Sequence, residues 1–157
     1  VPVLVVKQAP DKLRRILICT SGQEKEPLAI QMGLELATLA KAAVRLLFVA
    51  DPMPHMYDGL ETMEETVDEL LQSGTLIAEQ LQKSVNLLDN AAVDARLIMR
   101  HGLVVDEILN EIEASAYDLA IIGATEHEAF WQALVMGSVT PHVVENASCS
   151  VLVVHHL

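Results

Sequence analysis

The chain has 157 residues, enough for one domain with a sizeable core; 52% are apolar but only 3% aromatic, so that core must be aliphatic. A formal net charge of −12 repels phosphates and anionic lipid heads, which argues against nucleic acid partners and direct membrane contact. No run approaches the ~20 apolar residues of a spanning helix, and residues 1–6, short and without a basic leader, do not read as a signal sequence. The two cysteines, Cys19 and Cys149, fall inside expected strands, so reduced thiols in a cytoplasmic domain are favoured over a disulfide scaffold. A start at Val rather than Met points to a piece of a longer protein.

Arg15-Ile-Leu-Ile-Cys-Thr20 is an apolar run closed by the turn signal Ser21-Gly22, and it predicts the first strand of the domain. Pro27 suits a first helical turn, and Leu28, Met32, Leu36 and Leu39 mark that helix's apolar stripe. Residues 44–50 predict a second strand ending at Asp51-Pro52, followed by an extended loop over 52–59 that reads as a flap. One long helix is expected on the stripe Val67, Leu70, Gly74, Ile77, Leu81 and Leu88, with the glutamates of residues 61–69 as its solvated face. Gly74 weakens such a helix by about 1 kcal/mol relative to Ala. Residues 93–99 predict a strand ending at His101-Gly102, and Val105, Ile108, Leu109 and Ile112 a helix. Residues 119–122 form a short strand between Asp118 and Gly123; a helix over 139–146, capped by Ser138, and a strand over 151–154 complete the chain.

The order is βαβαβαβαβ. Continuous apolar strands alternating with helices predict an α/β fold: a five-stranded parallel sheet, buried on both sides, with helices on both faces. One feature exceeds that plan. Residues 1–6 match residues 149–154 at four of six positions, the shared run being Val-Leu-Val-Val.

The stretch Gly137-Ser-Val-Thr-Pro-His-Val-Val-Glu-Asn-Ala-Ser-Cys-Ser-Val-Leu-Val-Val154 resembles the C-terminal signature of universal stress proteins. Tyr117-Asp-Leu-Ala-Ile-Ile-Gly123, Met99-Arg-His-Gly102 and Arg15-Ile-Leu-Ile-Cys-Thr-Ser-Gly22 are similar to three further blocks of that family. The resemblance implies an adenine nucleotide alpha hydrolase-like sandwich over residues 14–157. It also implies that residues 1–13 are the last strand of a preceding repeat and a linker. Tandem copies and dimers paired through their last strands are common in the family. Residues 1–6 are therefore expected to pair with residues 151–154, in this chain or a neighbour, as a homodimer or a pseudo-dimer with the upstream repeat, because an apolar edge leaves backbone groups unpaired.

The resemblance also implies a nucleotide site for ATP or AMP, with Mg, at Thr20, Ser21, Gly22, Val49, Gly123, Thr125, Gly137, Ser138 and Val139. Glycines let backbone N–H groups approach phosphate oxygens, and a helix start adds partial positive charge. The family loop is Gly-x-x-Gly, nine residues, then Gly-Ser or Gly-Thr. Here Gly123 and Gly137-Ser138 fit it, but Glu126 replaces the second Gly, the spacing is one residue longer, and Ser21 replaces the family's strand-end Asp. Glu126-His127-Glu128 places two carboxylates along the phosphate path. One carboxylate ~6 Å from a phosphate charge costs about 3 kcal/mol at an effective dielectric near 20, roughly a hundredfold in affinity.

Other candidates read as structural. His155 and His156 are consecutive strand residues facing opposite ways, so they do not share an ion, and a solvated chain end is expected. His142 is expected to be partly buried or capping, and Phe130 and Trp131 to pack or form an interface. No nucleophile with a paired base stands out, which leans against an enzyme. The expected function is a non-enzymatic regulatory or interaction module of the stress response, self-associating through its last strand, with a degraded nucleotide site. The alternatives are an ATP or AMP sensor and, third, an ATP hydrolase.

Overall fold

The structure, a computed structural model, describes residues 2–22, 27–50, 66–125 and 139–156. The loop over 52–59, Ser138 and the segment holding Glu126, Phe130, Trp131 and Gly137 lie outside the described residues. Among the described residues six strands and five helices follow in the order β1 (Val3–Val5), β2 (Arg15–Thr20), α1 (Pro27–Ala40), β3 (Ala43–Ala50), α2 (Val67–Leu71), α3 (Leu76–Asp89), β4 (Ala95–His101), α4 (Val104–Ser115), β5 (Leu119–Thr125), α5 (Val139–Asn146) and β6 (Ser150–His156). They build one sheet in the order β1-β6-β5-β2-β3-β4. Strands β2 to β6 are mutually parallel, as the apolar runs require, and β1 joins β6 antiparallel, with Val3, Leu4 and Val5 opposite Val153, Leu152 and Val151.

Alternate residues of each central strand feed two separate cores. Ile16, Ile18, Val44, Leu46, Leu119, Ile121, Leu152 and Val154 face Ala29, Ile30 and Ala37 of α1 and Leu88 of α3. Leu17, Leu47, Ala120, Ile122, Val151 and Val153 face Ile108 and Ile112 of α4 and Val143 of α5. A strand covered on both sides has no polar face to alternate, which is why its sequence reads as an unbroken apolar run. No helix among the described residues is long and apolar enough to cross a membrane.

Four local expectations are corrected. In α1 the buried face is Ala29, Ile30, Gly33 and Ala37, while Leu28 and Leu39 are exposed. Small residues win that face because the helix lies hard on the sheet: a Cβ on Gly33 would collide with Ile18 Cδ1 and sit 3.1 Å from Ile121 Cδ1. The expected long helix is two. Gly74, at φ +70°, breaks it, Thr66 and Glu69 form a capping box for α2, and Thr75 caps α3 by accepting from the Ala78 N–H. Strand β4 begins at Ala95 rather than 93 and runs to His101, leaving Val93 to pack against the core. Cys149 lies just before β6, buried, and burial pushes its thiol pKa up.

One polar cluster ties α4 to the sheet. Arg100, near the end of β4, donates from Nε to Glu107 (2.6 Å) and from Nη1 to Glu111 (2.9 Å), and the Tyr117 hydroxyl donates to the other Glu111 oxygen at 2.9 Å. Glu111 is 8% exposed, so all this pairing is needed to offset its desolvation. The Arg15 guanidinium lies 5.0 Å from the Tyr117 ring centroid, and Asp118 accepts from the N–H groups of Arg14 and Arg15. The start of β2 is thereby fastened to the start of β5.

Two outcomes are expected. Gly33→Val should destabilise by about 1–3 kcal/mol in denaturant unfolding, since overpacking at a helix–sheet contact must displace Ile18. Tyr117→Phe should cost about 1.5–3 kcal/mol, the range for a bond to a charged group. Burial first, and the Glu111 carboxylate second, hold the Tyr117 phenol above its ordinary pKa. Stability from this contact is thus complete below about pH 10, where the unfolded phenol titrates, and is lost as pH rises beyond it. The variant should show a shallower alkaline loss of stability than the parent; equal slopes would refute the assignment.

Candidate functional site

Crossovers in this sheet leave in opposite directions from two neighbouring strands. Strand β2 leads into α1, which packs on one face; β5 leads toward α5, which packs on the other. β2 and β5 are hydrogen-bonded neighbours, with Ile16 opposite Leu119 and Cys19 opposite Ile122. The winding thus reverses past their carboxyl ends, which is where open α/β sheets place their ligand crevice.

Sequence-predicted residues converge there. Thr20 ends β2 and is 9% exposed; by register it is level with Gly123 of β5, which in turn faces Val154 of β6. Ser21 is exposed at the mouth. Gly22 turns back at φ +74°, its N–H donating to Thr20 Oγ1 at 3.1 Å. A Cβ at Gly22 would lie 3.0 Å from Ile77 Cγ2 and 3.6 Å from the Phe48 ring, so glycine is required both for the turn and for the contact. Val49, one residue beyond the Phe48–Thr20 pair, and Val139 at the start of α5 pack into the layer on the α4 side. Thr125 ends β5, paired with His156. Gly137 and Ser138 lie outside the described residues, as do Glu126, His127 and Glu128.

Two neighbours of the crevice escaped sequence reasoning. Ile77 was assigned to a buried stripe, yet it is 42% exposed in the first turn of α3 and closes over Gly22. Only the break at Gly74 brings that turn to the strand ends. His101 ends β4 opposite Ala50, with Nε2 buried and no hydrogen-bond partner among the described residues. His142 is exposed on α5, whose buried position is Val143 one residue on; this corrects the expectation of partial burial. His155 and His156 are the last residues of β6, as expected of strand residues, and His155 is exposed. Among the described residues no three His, Cys, Asp or Glu side chains group as a metal site.

Among the described residues this end of the sheet gathers the small hydroxyls of Thr20 and Ser21, the Gly22 turn and an apolar floor. The family model that matches the sequence, over residues 12–155, is that of the universal stress protein family. The chain belongs to the universal stress protein family. A universal stress protein of Methanothermobacter thermautotrophicus is 30% identical over 138 residues, covering 88% of this chain and 92% of its own. Among solved structures, a universal stress protein in complex with cAMP aligns at a TM-score of 0.71 and 18% identity, over 92% of this chain and 98% of that one. A universal stress protein from Archaeoglobus fulgidus aligns at 0.67 and 12%, over 99% of this chain and 50% of that one. An Arabidopsis thaliana family member with AMP bound aligns at 0.60 and 16%, over 92% of each. The six-stranded α/β sandwich is thus the universal stress protein fold.

Gly22→Ala is expected to destabilise the domain by about 1–3 kcal/mol, because alanine at positive φ is strained and its methyl presses on Ile77. Pairing it with Ile77→Ala should recover the steric part in a double-mutant cycle; strict additivity would show that the two do not touch.

Proposed function

We propose that this universal stress protein domain is a non-enzymatic regulatory module of the stress response that takes an adenine nucleotide at the β2–β5 crevice. The observation that carries the reading is that Thr20, the last residue of β2 before the Gly22 turn, lies level with Gly123 on the adjacent strand at the reversal point of the sheet. The neighbours that hold cAMP and AMP support it by sharing the fold. In this reading Thr20, Ser21, Gly22, Gly123 and Thr125 contribute the strand-end side, Val49 and Val139 the apolar wall, and Gly137 and Ser138 the phosphate side. ATP with Mg, or AMP, is the ligand class, and the module works as a homodimer or pseudo-dimer through residues 151–154.

Charge sets the affinity. With Glu126 in the second glycine position, Glu128 beside it and a net charge of −12, the polyphosphate of ATP is penalised more than the single phosphate of AMP. A second reading follows from those carboxylates: an interaction module whose nucleotide site no longer functions.

Thermal melting separates the two. AMP, cAMP and ATP with Mg are titrated against the chain; binding to the native state stabilises by about 2.7 kcal/mol at a ligand concentration a hundred times Kd. The expected order is AMP above ATP, with Glu126→Gly narrowing the gap by up to about a hundredfold in ATP affinity. No shift with any ligand, in parent or variant, would leave only the interaction module.

A further inference from the structure

The parallel strands all start at one end of the sheet, away from the end that carries Thr20, Gly22 and Gly123. Charge is divided unevenly between those two ends. The segments that lead into β2, β3, β4 and β5 are residues 11–15, 41–45, 94–96 and 116–119. They hold six of the chain's ten basic residues, Lys12, Arg14, Arg15, Lys41, Arg45 and Arg96, and only three of its 22 acidic ones, Asp11, Asp94 and Asp118. These segments therefore total +3 on a chain of −12, and the other four basic and 19 acidic residues leave −15 for the remainder.

Strand register brings these side chains together. The Ala43 N–H donates to the Arg14 carbonyl at 2.8 Å, which sets the turn at Lys41 next to Arg14, and the Val44 N–H donates to the Asp94 carbonyl at 2.8 Å. Arg45 and Arg96 are cross-strand partners that share Asp94, through Arg45 Nη2 and Arg96 Nε, each at 3.1 Å. Asp118 is taken up by two backbone N–H groups. Two of the three carboxylates are thus engaged. Lys12, Arg14 and Lys41, in contrast, are exposed and carry no ion pair among the described residues.

Size decides which anion fits. Four adjacent strands about 4.8 Å apart make this ground about 14 Å wide. Asp89 and Glu113, at and near the ends of α3 and α4, border it. A nucleic acid duplex or a lipid surface runs well past that width and meets the −15 of the remainder. About four residues of extended chain cover the same span. Charges more than ~8 Å away from such a segment are largely screened at physiological salt. Guanidinium groups also match carboxylates as two-pronged donors.

We infer that the amino end of the β5-β2-β3-β4 sheet is a docking surface for a short acidic segment of a partner protein, with Arg14, Lys41 and Arg96 as its contacts. The surface lies at the far end of the strands from Gly22 and Gly123, so this docking is independent of nucleotide. It gives the interaction module a partner class.

A fluorescein-labelled pentapeptide of Asp and Glu tests it, titrated with the whole chain at low salt and followed by anisotropy. The parent should bind, and more weakly as salt is raised. Arg14→Glu and Lys41→Glu should each weaken binding by about fivefold or more. Lys83→Glu, at an exposed position midway along α3, changes the net charge equally and should leave the affinity within about twofold. Melting curves show that each variant is folded. Should Arg14→Glu or Lys41→Glu lose its fold, Arg96→Glu, on a side chain 71% exposed, repeats the test, and an unchanged affinity there overturns the docking. It is equally overturned by a parent that does not bind, by equal losses in the Arg14, Lys41 and Lys83 variants, or by tighter binding of duplex DNA or phosphatidylserine vesicles than of the peptide. None of these readouts involves nucleotide, so a silent melting titration leaves them unaffected.

Discussion

Because β2 and β5 are buried on both faces, the chain can leave them only past their ends, and the helices that follow must go to opposite sides to cover both. That single packing demand creates the crevice. Aliphatic side chains fill each layer, and Gly33 lets α1 lie close enough for Ile18 and Ile121 to touch it. At that end of the two strands lie the level pair Thr20 and Gly123 and the Gly22 turn, whose N–H donates to Thr20 Oγ1. Position of the site and burial of the core are two consequences of one arrangement.

The polar groups inside the sandwich serve this arrangement rather than chemistry. Arg100, Glu107, Glu111 and Tyr117 bind one another between α4 and the sheet, and Asp118 joins the beginnings of β2 and β5. Such a cluster gains little free energy over an apolar one but forbids α4 from sliding, since any shift strands a carboxylate in a poor solvent. The two strands that flank the crevice are held at one end by this polar fastening and left open at the other.

At the sheet's two margins the physics differs. β4 ends the sheet beside α3, whereas β6 would be a bare apolar margin without β1. Covering it with a strand of matching sequence satisfies its backbone groups but hands the same exposure to Val3, Leu4 and Val6.

Much of this was legible in the residues. The parallel sheet, its strands and the family signature followed from unbroken apolar runs and from the block over residues 137–154, because burial on both faces leaves no other pattern. Pairing of residues 1–6 with residues 151–154 was implied by the family resemblance, and in the structure Val3–Val5 pair with Val151–Val153 of the same chain. What eluded sequence reasoning was everything decided by closeness. The stripe of Leu28, Met32, Leu36 and Leu39 looked like the core of α1, but contact with the sheet selected Ala29, Ile30, Gly33 and Ala37. Hydrophobicity says that a face is buried; only the distance between layers says how large its side chains can be. Glu111 and Ile77 teach the same lesson from opposite sides. A charged residue is interior because Arg100 and Tyr117 reach it, and an apolar one is exposed because Gly74 turned its helix toward the strand ends. Composition and spacing determined the layers and their order; partners far apart in the chain determined which side chains those layers accept.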